Sequence, residues 1–451
     1  MDFSTFKQKI FAEAKRFGFS DWEIYYSEST GFSAKIFGGE ISEYKNTDSV
    51  GLSFRGTFGG RVGYSFTERL DESLIAKLVQ NAADNAAVIE EKEIEKLYPG
   101  DSEYPQVVSF NPALEGVSAA DKLAAAFALE KHAYAADSRV KSVDYCVLGT
   151  GKNRVNIANS YGQDLSHDSN MAYAYVSVRV EENGVVKTAG ELWFDNDFGK
   201  FSHEKIADTA VQKALSYLGA KSVDSKNYPV IFDNETACDF FGAFAGVFFA
   251  ENAQKGFSLL DGKEGEKIAA DCVTLRDDGV CEHYPLGNVP FDSEGVATQQ
   301  KAIIENGVLR TLLYNTKTAE KAGKKSTGNG FKPGFAASVG TSTTNFYIAP
   351  SQTTPEQLRA DIKQGLLITQ MAGLHAGLNA ISGEFSISSD GFLIEDGKIT
   401  RPVEQITVAG NFYELLKNIQ AVGSDLRFDM PNAGACGMPS LYVGDLAVSG
   451  L

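Results

Sequence analysis

Apolar and polar positions along the chain alternate between helical and strand period. Phe3, Phe6, Ile10, Phe11 and Phe17 recur at helical intervals with Lys7, Lys9, Glu13 and Lys15 between them, which predicts an amphipathic helix. Short alternating segments follow: "WEIYYSES", "FSAKIF", "EISEYK", "VGLSFRG" and "GRVGYSF". Gly-, Asp- or Asn-bearing turns part them, so an antiparallel meander is expected. Helical period returns in "DESLIAKLVQNAADNAAVI", and the charged "EEKEIEKLYPGDSEYP" reads as the exit to a linker. The same order of helix, strands and helix then recurs between "AADKLAAAFALEKHAYAA" and "HEKIADTAVQKALSYLG".

A third stretch opens at the buried strand "KNYPVIFDN" and passes into "ETACDFFGAFAGVFFAENAQKG", residues 235–256. This reads as one almost wholly apolar helix with Asp233 or Asn234 as its N-cap. Beyond it, Glu305-Asn306-Gly307 and Glu395-Asp396-Gly397 lie between alternating apolar residues and predict two hairpins. The expected class is α+β. Three units are expected: 1–98 and 99–220, each a helix-plus-antiparallel-sheet unit, then a larger and mostly β domain over 221–451.

Composition narrows the partners more than the fold. At 451 residues, 43% hydrophobic and 22% charged, the chain is long enough for several ordinary cores. Lys+Arg 42 against Asp+Glu 59 gives a net charge of −17, which repels phosphate backbones and anionic lipid, so neither nucleic acid nor membrane is an expected partner. Cys146, Cys238, Cys272, Cys281 and Cys436 are scattered and form no Cys-x-x-Cys pair. With no apolar run of about 18 residues and no signal-peptide pattern, a reducing, cytoplasmic setting is expected.

Candidate chemistry is sparse. "HEKIAD" imitates the start of a zinc helix at His203, but Ala207 stands where a second imidazole belongs, so a solvent-facing helix start is the better reading. Cys272, Cys281 and His283 match no zinc spacing, and packing explains them better. His375 in "MAGLHAGLNAISGEFS" sits among small residues and turn formers, which favours a structural role over a catalytic one. No Gly-x-Ser-x-Gly, Gly-x-Gly-x-x-Gly or Gly-Lys-Ser/Thr element occurs in a fitting context.

Four stretches together carry a resemblance: "FDSEGVATQQKAIIENGVLRTLLYNTKTAEKAG", "STGNG", "TTNFYIAP" and "GLNAISGEFSISSDGFLIEDGKITRPVEQITVAGNFYELL". In order and wording the chain resembles the TldD/PmbA family, once called modulators of DNA gyrase, and especially its PmbA (TldE) branch. That resemblance spans the whole chain. It implies a metalloprotease built from two related subunits, TldD and TldE, acting on unfolded peptides. In the TldD branch a helix after a strand like "PVIF" bears His-Glu-x-x-x-His, and a cysteine near the C-terminus completes the zinc site.

Here the same window falls on Gly242, Ala243, Phe244, Ala245, Gly246 and Val247. Gly242 and Val247 offer no lone pair, and Ala243 no carboxylate to act as general base. Positions five apart on a regular helix diverge by about 140°, so the catalytic form of this window needs a local distortion. Cys436 in "NAGACGMPS" stands in the setting of the third ligand and is read as a remnant or a packing residue. What the resemblance implies is a chain inactive by itself, with no cofactor of its own and zinc held by a TldD-like partner subunit. The expected partners are that subunit and unfolded peptide, with a homodimer in isolation. Two alternatives stay open. One is a self-sufficient hydrolase with a relocated metal site, using Cys272, Cys281 and His283 or His375 and Cys436. The other is a homodimeric peptide-binding protein without proteolysis.

Overall fold

The computed structural model describes residues 1–89, 96–430 and 434–450. Residues 90–95 of the expected charged linker lie outside the described residues, as do 431–433. Helix Phe3–Phe17 starts at Asp2, whose side chain accepts from Thr5 N, and ends at Gly18 in the left-handed conformation. The five short segments expected after it are only three strands: Asp21–Phe37, Glu40–Phe58 and Arg61–Thr67. They were fragmented in the sequence because residues 40–49 of the middle strand are almost wholly exposed, so no apolar face marks their pairing. Helix Glu72–Val88 covers this meander.

The second unit repeats the plan with helix Ala119–Ala136, strands Val140–Asn159, Asp164–Glu182 and Val185–Asp195, and helix His203–Ser216. The first strands of the two units pair antiparallel from Glu23↔Asn159 to Lys35↔Val147. All six strands therefore form one continuous sheet, with the order of the first three mirrored in the second three. Each half buries its own core, one around Phe6, Phe19 and Phe54 and the other around Leu129, Val176 and Val211.

The rest of the chain is β-rich, as the pattern implied. Strands Lys226–Phe232, Gln364–Ala372, Glu384–Glu395, Lys398–Asn411 and Leu441–Ser449 pair in a ring, closed where Thr407–Ala409 meets Ala447–Ser449. Closure removes the free edges of an open sheet. Asp396 and Gly397 take positive φ at the hairpin tip, as Asn306 and Gly307 do between strands Gln300–Glu305 and Val308–Leu309. A second sheet holds strands Leu275–Asp278, Asn345–Ile348, Ala435–Met438 and Arg427–Phe428 beside Gln300–Glu305. One large core joins ring and sheet, taking Val230, Ile368 and Val408 from the first and Leu275, Ile304 and Met438 from the second.

The apolar stretch 235–256 is not one helix. Helix Asn234–Phe244 gives way to a tight turn of 3-10 helix, Ala245–Phe248, then an extended Phe249, then the short helix Ala250–Gln254. The carbonyls a continuing helix would need are taken elsewhere. Asn252 Nδ2 donates to Gly246 O at 2.8 Å and Ser258 Oγ to Val247 O at 2.6 Å. Leu313 N donates to Phe248 O and Ala250 N to Leu313 O, so Phe249 bridges to a neighbouring strand segment. The hydrophobic pattern alone could not show this, because every residue concerned except Gly246 is apolar.

Candidate functional site

The site is built from the helix that follows strand Lys226–Phe232. Asp233 caps it, accepting from Thr236 N at 2.8 Å. Phe240, Phe241 and Phe244 fall on its buried side, and Phe244 stacks on Phe412 with centroids 4.3 Å apart and planes 9° from parallel. Asp239, Gly242 and Ala243 are exposed on the other side.

Strand Ala435–Met438 runs past this open side. A β-carbon added at Gly242 would lie 3.9 Å from Cys436 Sγ. The half-buried Cys436 instead points its thiol to Cys238 O at 3.4 Å, and the buried Cys238 returns one to Cys436 O at 3.5 Å. The neighbouring thiol, with burial added, pushes Cys238 well above the usual thiol range. Val247 is fully buried in the large core. The window Gly242–Val247 thus straddles the switch from α to 3-10 helix, and Cys436 faces its first position. Among the described residues no three His, Cys, Asp or Glu side chains are arranged to hold a metal ion. A zinc ion of the kind the resemblance implies does not fit the donors of this window among the described residues.

Charge gathers around the helix start. Lys213 Nζ reaches Glu191 at 2.7 Å and Glu235 at 2.6 Å, and Arg427 pairs with the same two carboxylates. Burial raises Asp233 to about 6, against an ordinary 3.8. Asp429 also rises to about 6, through burial first and the nearby Asp239 second. A cavity of about 360 Å³ opens between helix His203–Ser216, the ring and this acidic first turn.

The other sequence candidates disperse. His203 begins its helix at a half-exposed position, with Glu204 at 3.3 Å. Cys272 is exposed, Cys281 is buried, and the His283 ring packs against Tyr347. His375 is exposed on the short turn Leu374–Gly377, which packs near the helix but brings no second ligand. Sequence reasoning passed over His167. It is largely enclosed, its Nε2 is 3.1 Å from Ser109 Oγ, and burial pushes its pKa down. It lines a larger cavity, about 650 Å³, between the N-terminal sheet and the β-rich region, with Tyr25, Val155, Met171 and Phe291. Among the described residues no carboxylate hydrogen-bonds the His167 ring, so the pair lacks the third group of a triad. No sequence motif signals it, because Ser109 and His167 meet only through folding.

Comparison with known proteins decides the family. A profile of the PmbA/TldA metallopeptidase C-terminal domain matches residues 225–450, with the central domain at 112–218 and domain 1 at 22–86. The chain belongs to the PmbA/TldD metallopeptidase family. It is 28% identical to Metalloprotease PmbA of Escherichia coli O157:H7, covering 90% of this chain and 87% of that protein. Against Metalloprotease TldD homolog of Haemophilus influenzae it is 26% identical, covering 95% and 92%. A Thermotoga maritima MSB8 protein, described as a candidate modulator of a DNA gyrase, superposes with a TM-score of 0.91 at 30% identity over 99% of this chain and 100% of that one. Identity alone barely separates the two branches, at 28% against 26%.

Proposed function

We propose that this chain is the non-catalytic, PmbA/TldE-like subunit of a metalloprotease whose zinc and general base sit in a TldD-like partner. The observation that carries the reading is the open side of helix Asn234–Phe244. The family's place for a metal-binding window is kept, with Cys436 facing it, yet Gly242 and Ala243 present neither imidazole nor carboxylate. With Val247 buried at the last position, this window offers no route to an activated water. Its work is then to form part of the wall around unfolded peptide and to complete the partner's site.

The test mixes the purified chain with a TldD-like subunit that carries His-Glu-x-x-x-His and follows cleavage of an unfolded peptide. The mixture is expected to cleave well above the partner alone, while this chain alone is inactive. Equal rates with and without this chain would contradict the assignment.

A further inference from the structure

The cavity beside the first turn of helix Asn234–Phe244 has a composition that the subunit role does not by itself require. Asp233, Asp239 and Asp390 line it, and none of the three forms an ion pair with a described lysine or arginine. Lys213 also reaches the wall, but its charge is already shared between Glu191 and Glu235. Thr236 is 1% exposed on the same wall, and its Oγ1 makes no hydrogen bond. Opposite these polar groups Tyr217 and Phe392 stack at 5.4 Å and 26°, giving an apolar and aromatic side.

We propose that this cavity binds the organic cation of a peptide, either its free N-terminal ammonium or a lysine or arginine side chain. Carboxylates that form no ion pair and a hydroxyl left without a partner both gain from an N–H donor bearing positive charge. The Tyr217 and Phe392 rings suit the methylene stem and the face of such a cation. An anion is disfavoured there, since the carboxylates outnumber the single Lys213, already shared between Glu191 and Glu235. A bare metal ion is disfavoured because no three of these side chains are arranged to hold one among the described residues. Desolvation by the cavity walls lifts Asp233, Asp239 and Asp390 above their ordinary range, which a bound cation offsets. Asp239 stands one turn before Gly242, so the cavity adjoins the open side of the helix. This inference rests on the peptide-handling role proposed above, and it names the chemical class recognised.

The experiment is calorimetric titration of the full chain, without partner, using alanine-based peptides of one length. One has a free N-terminus and no basic residue; one is N-acetylated with a central lysine; one is N-acetylated and uncharged. At least one cationic peptide is expected to bind about tenfold or more tightly than the uncharged one, and whichever does so identifies the source of the cation. Asp390→Asn is expected to remove most of that advantage. The exposed Asp361→Asn control is expected to keep it, which separates the cavity from the general pull of a net charge of −17. Thr236→Val is expected to weaken binding of the cationic peptide more than that of the uncharged one. Equal binding of all three peptides, or equal losses in Asp390→Asn and Asp361→Asn, overturns the proposal. Because no partner is present, that failure leaves the subunit role standing. Cation-selective binding with no stimulation of a TldD-like subunit would instead support the cavity and overturn the role.

Discussion

On one side of helix Asn234–Phe244, Phe240, Phe241 and Phe244 are fully buried, with Phe412 against all three rings. On the other, Asp239, Gly242 and Ala243 stay exposed beside Cys436. The two sides obey different constraints. The buried side must fill space shared by a closed strand ring and a second sheet, so its volumes and ring geometries are fixed. The open side carries no such packing constraint, and at Gly242 and Ala243 it presents only hydrogen and methyl beside the Asp239 carboxylate. On the reading proposed above, the fold keeps the placement of a site whose reactive groups sit in a partner.

The largest expected effect lies on the buried side. Phe412→Ala removes the ring stacked on Phe244 and contacts with Phe240, Phe241 and Phe248, and is expected to cost about 3–5 kcal/mol by the cavity it leaves. A urea denaturation midpoint that hardly moves would mean this side is not the scaffold described. Next comes Val247→His, which restores an imidazole at a fully buried position without metal. It is expected to cost about 2–3 kcal/mol, since nothing among the surrounding apolar residues satisfies the ring. Unchanged thermal stability would show that Val247 can turn towards the open side, which weakens the contrast.

A pH titration sharpens the boundary between the two sides. Asp233 is raised to about 6 in the folded chain, so the folded state binds more protons than the unfolded one between about 4 and 6. Stability then falls as pH rises through that window and levels off above it, and Asp429 adds to the same decline. Asp233→Asn keeps the helix cap and removes the charge, so the decline should flatten by on the order of 1–2 kcal/mol. An identical pH profile in wild type and variant would place the decline elsewhere. The smallest effect is expected at the open side: Ala243→Glu should change stability by no more than about 0.5 kcal/mol and confer no cleavage on the isolated chain.

Much of the frame was legible in sequence, for identifiable reasons. The hairpins at Asn306-Gly307 and Asp396-Gly397 were readable because a type of turn that needs positive φ leaves a local signature. The helix cap was readable to within one residue, as Asp233 or Asn234, because capping side chains bond locally to the turn that follows; the structure selects Asp233. The break at Ala245–Phe249 was hidden, because its causes are Asn252, Ser258 and Leu313 reaching in from later in the chain. Ring closure through Thr407–Ala409 and Ala447–Ser449 was hidden likewise, since no local pattern records a pairing made about forty residues away. The site divides along the same line. The residues of the window 242–247 stand in the sequence, but the meeting of Cys238 with Cys436, and of Asp239 with Asp390 on one cavity wall, belongs to tertiary structure alone.

The account stands on the claim that the open side offers too few donors for a catalytic metal. Its most direct test is the zinc content of the purified chain after exposure to zinc and desalting, measured beside peptide cleavage with and without chelator. The account predicts far less zinc than chain and no chelator-sensitive cleavage. Stoichiometric zinc that disappears in Cys436→Ser, together with chelator-sensitive cleavage by the chain alone, would contradict it.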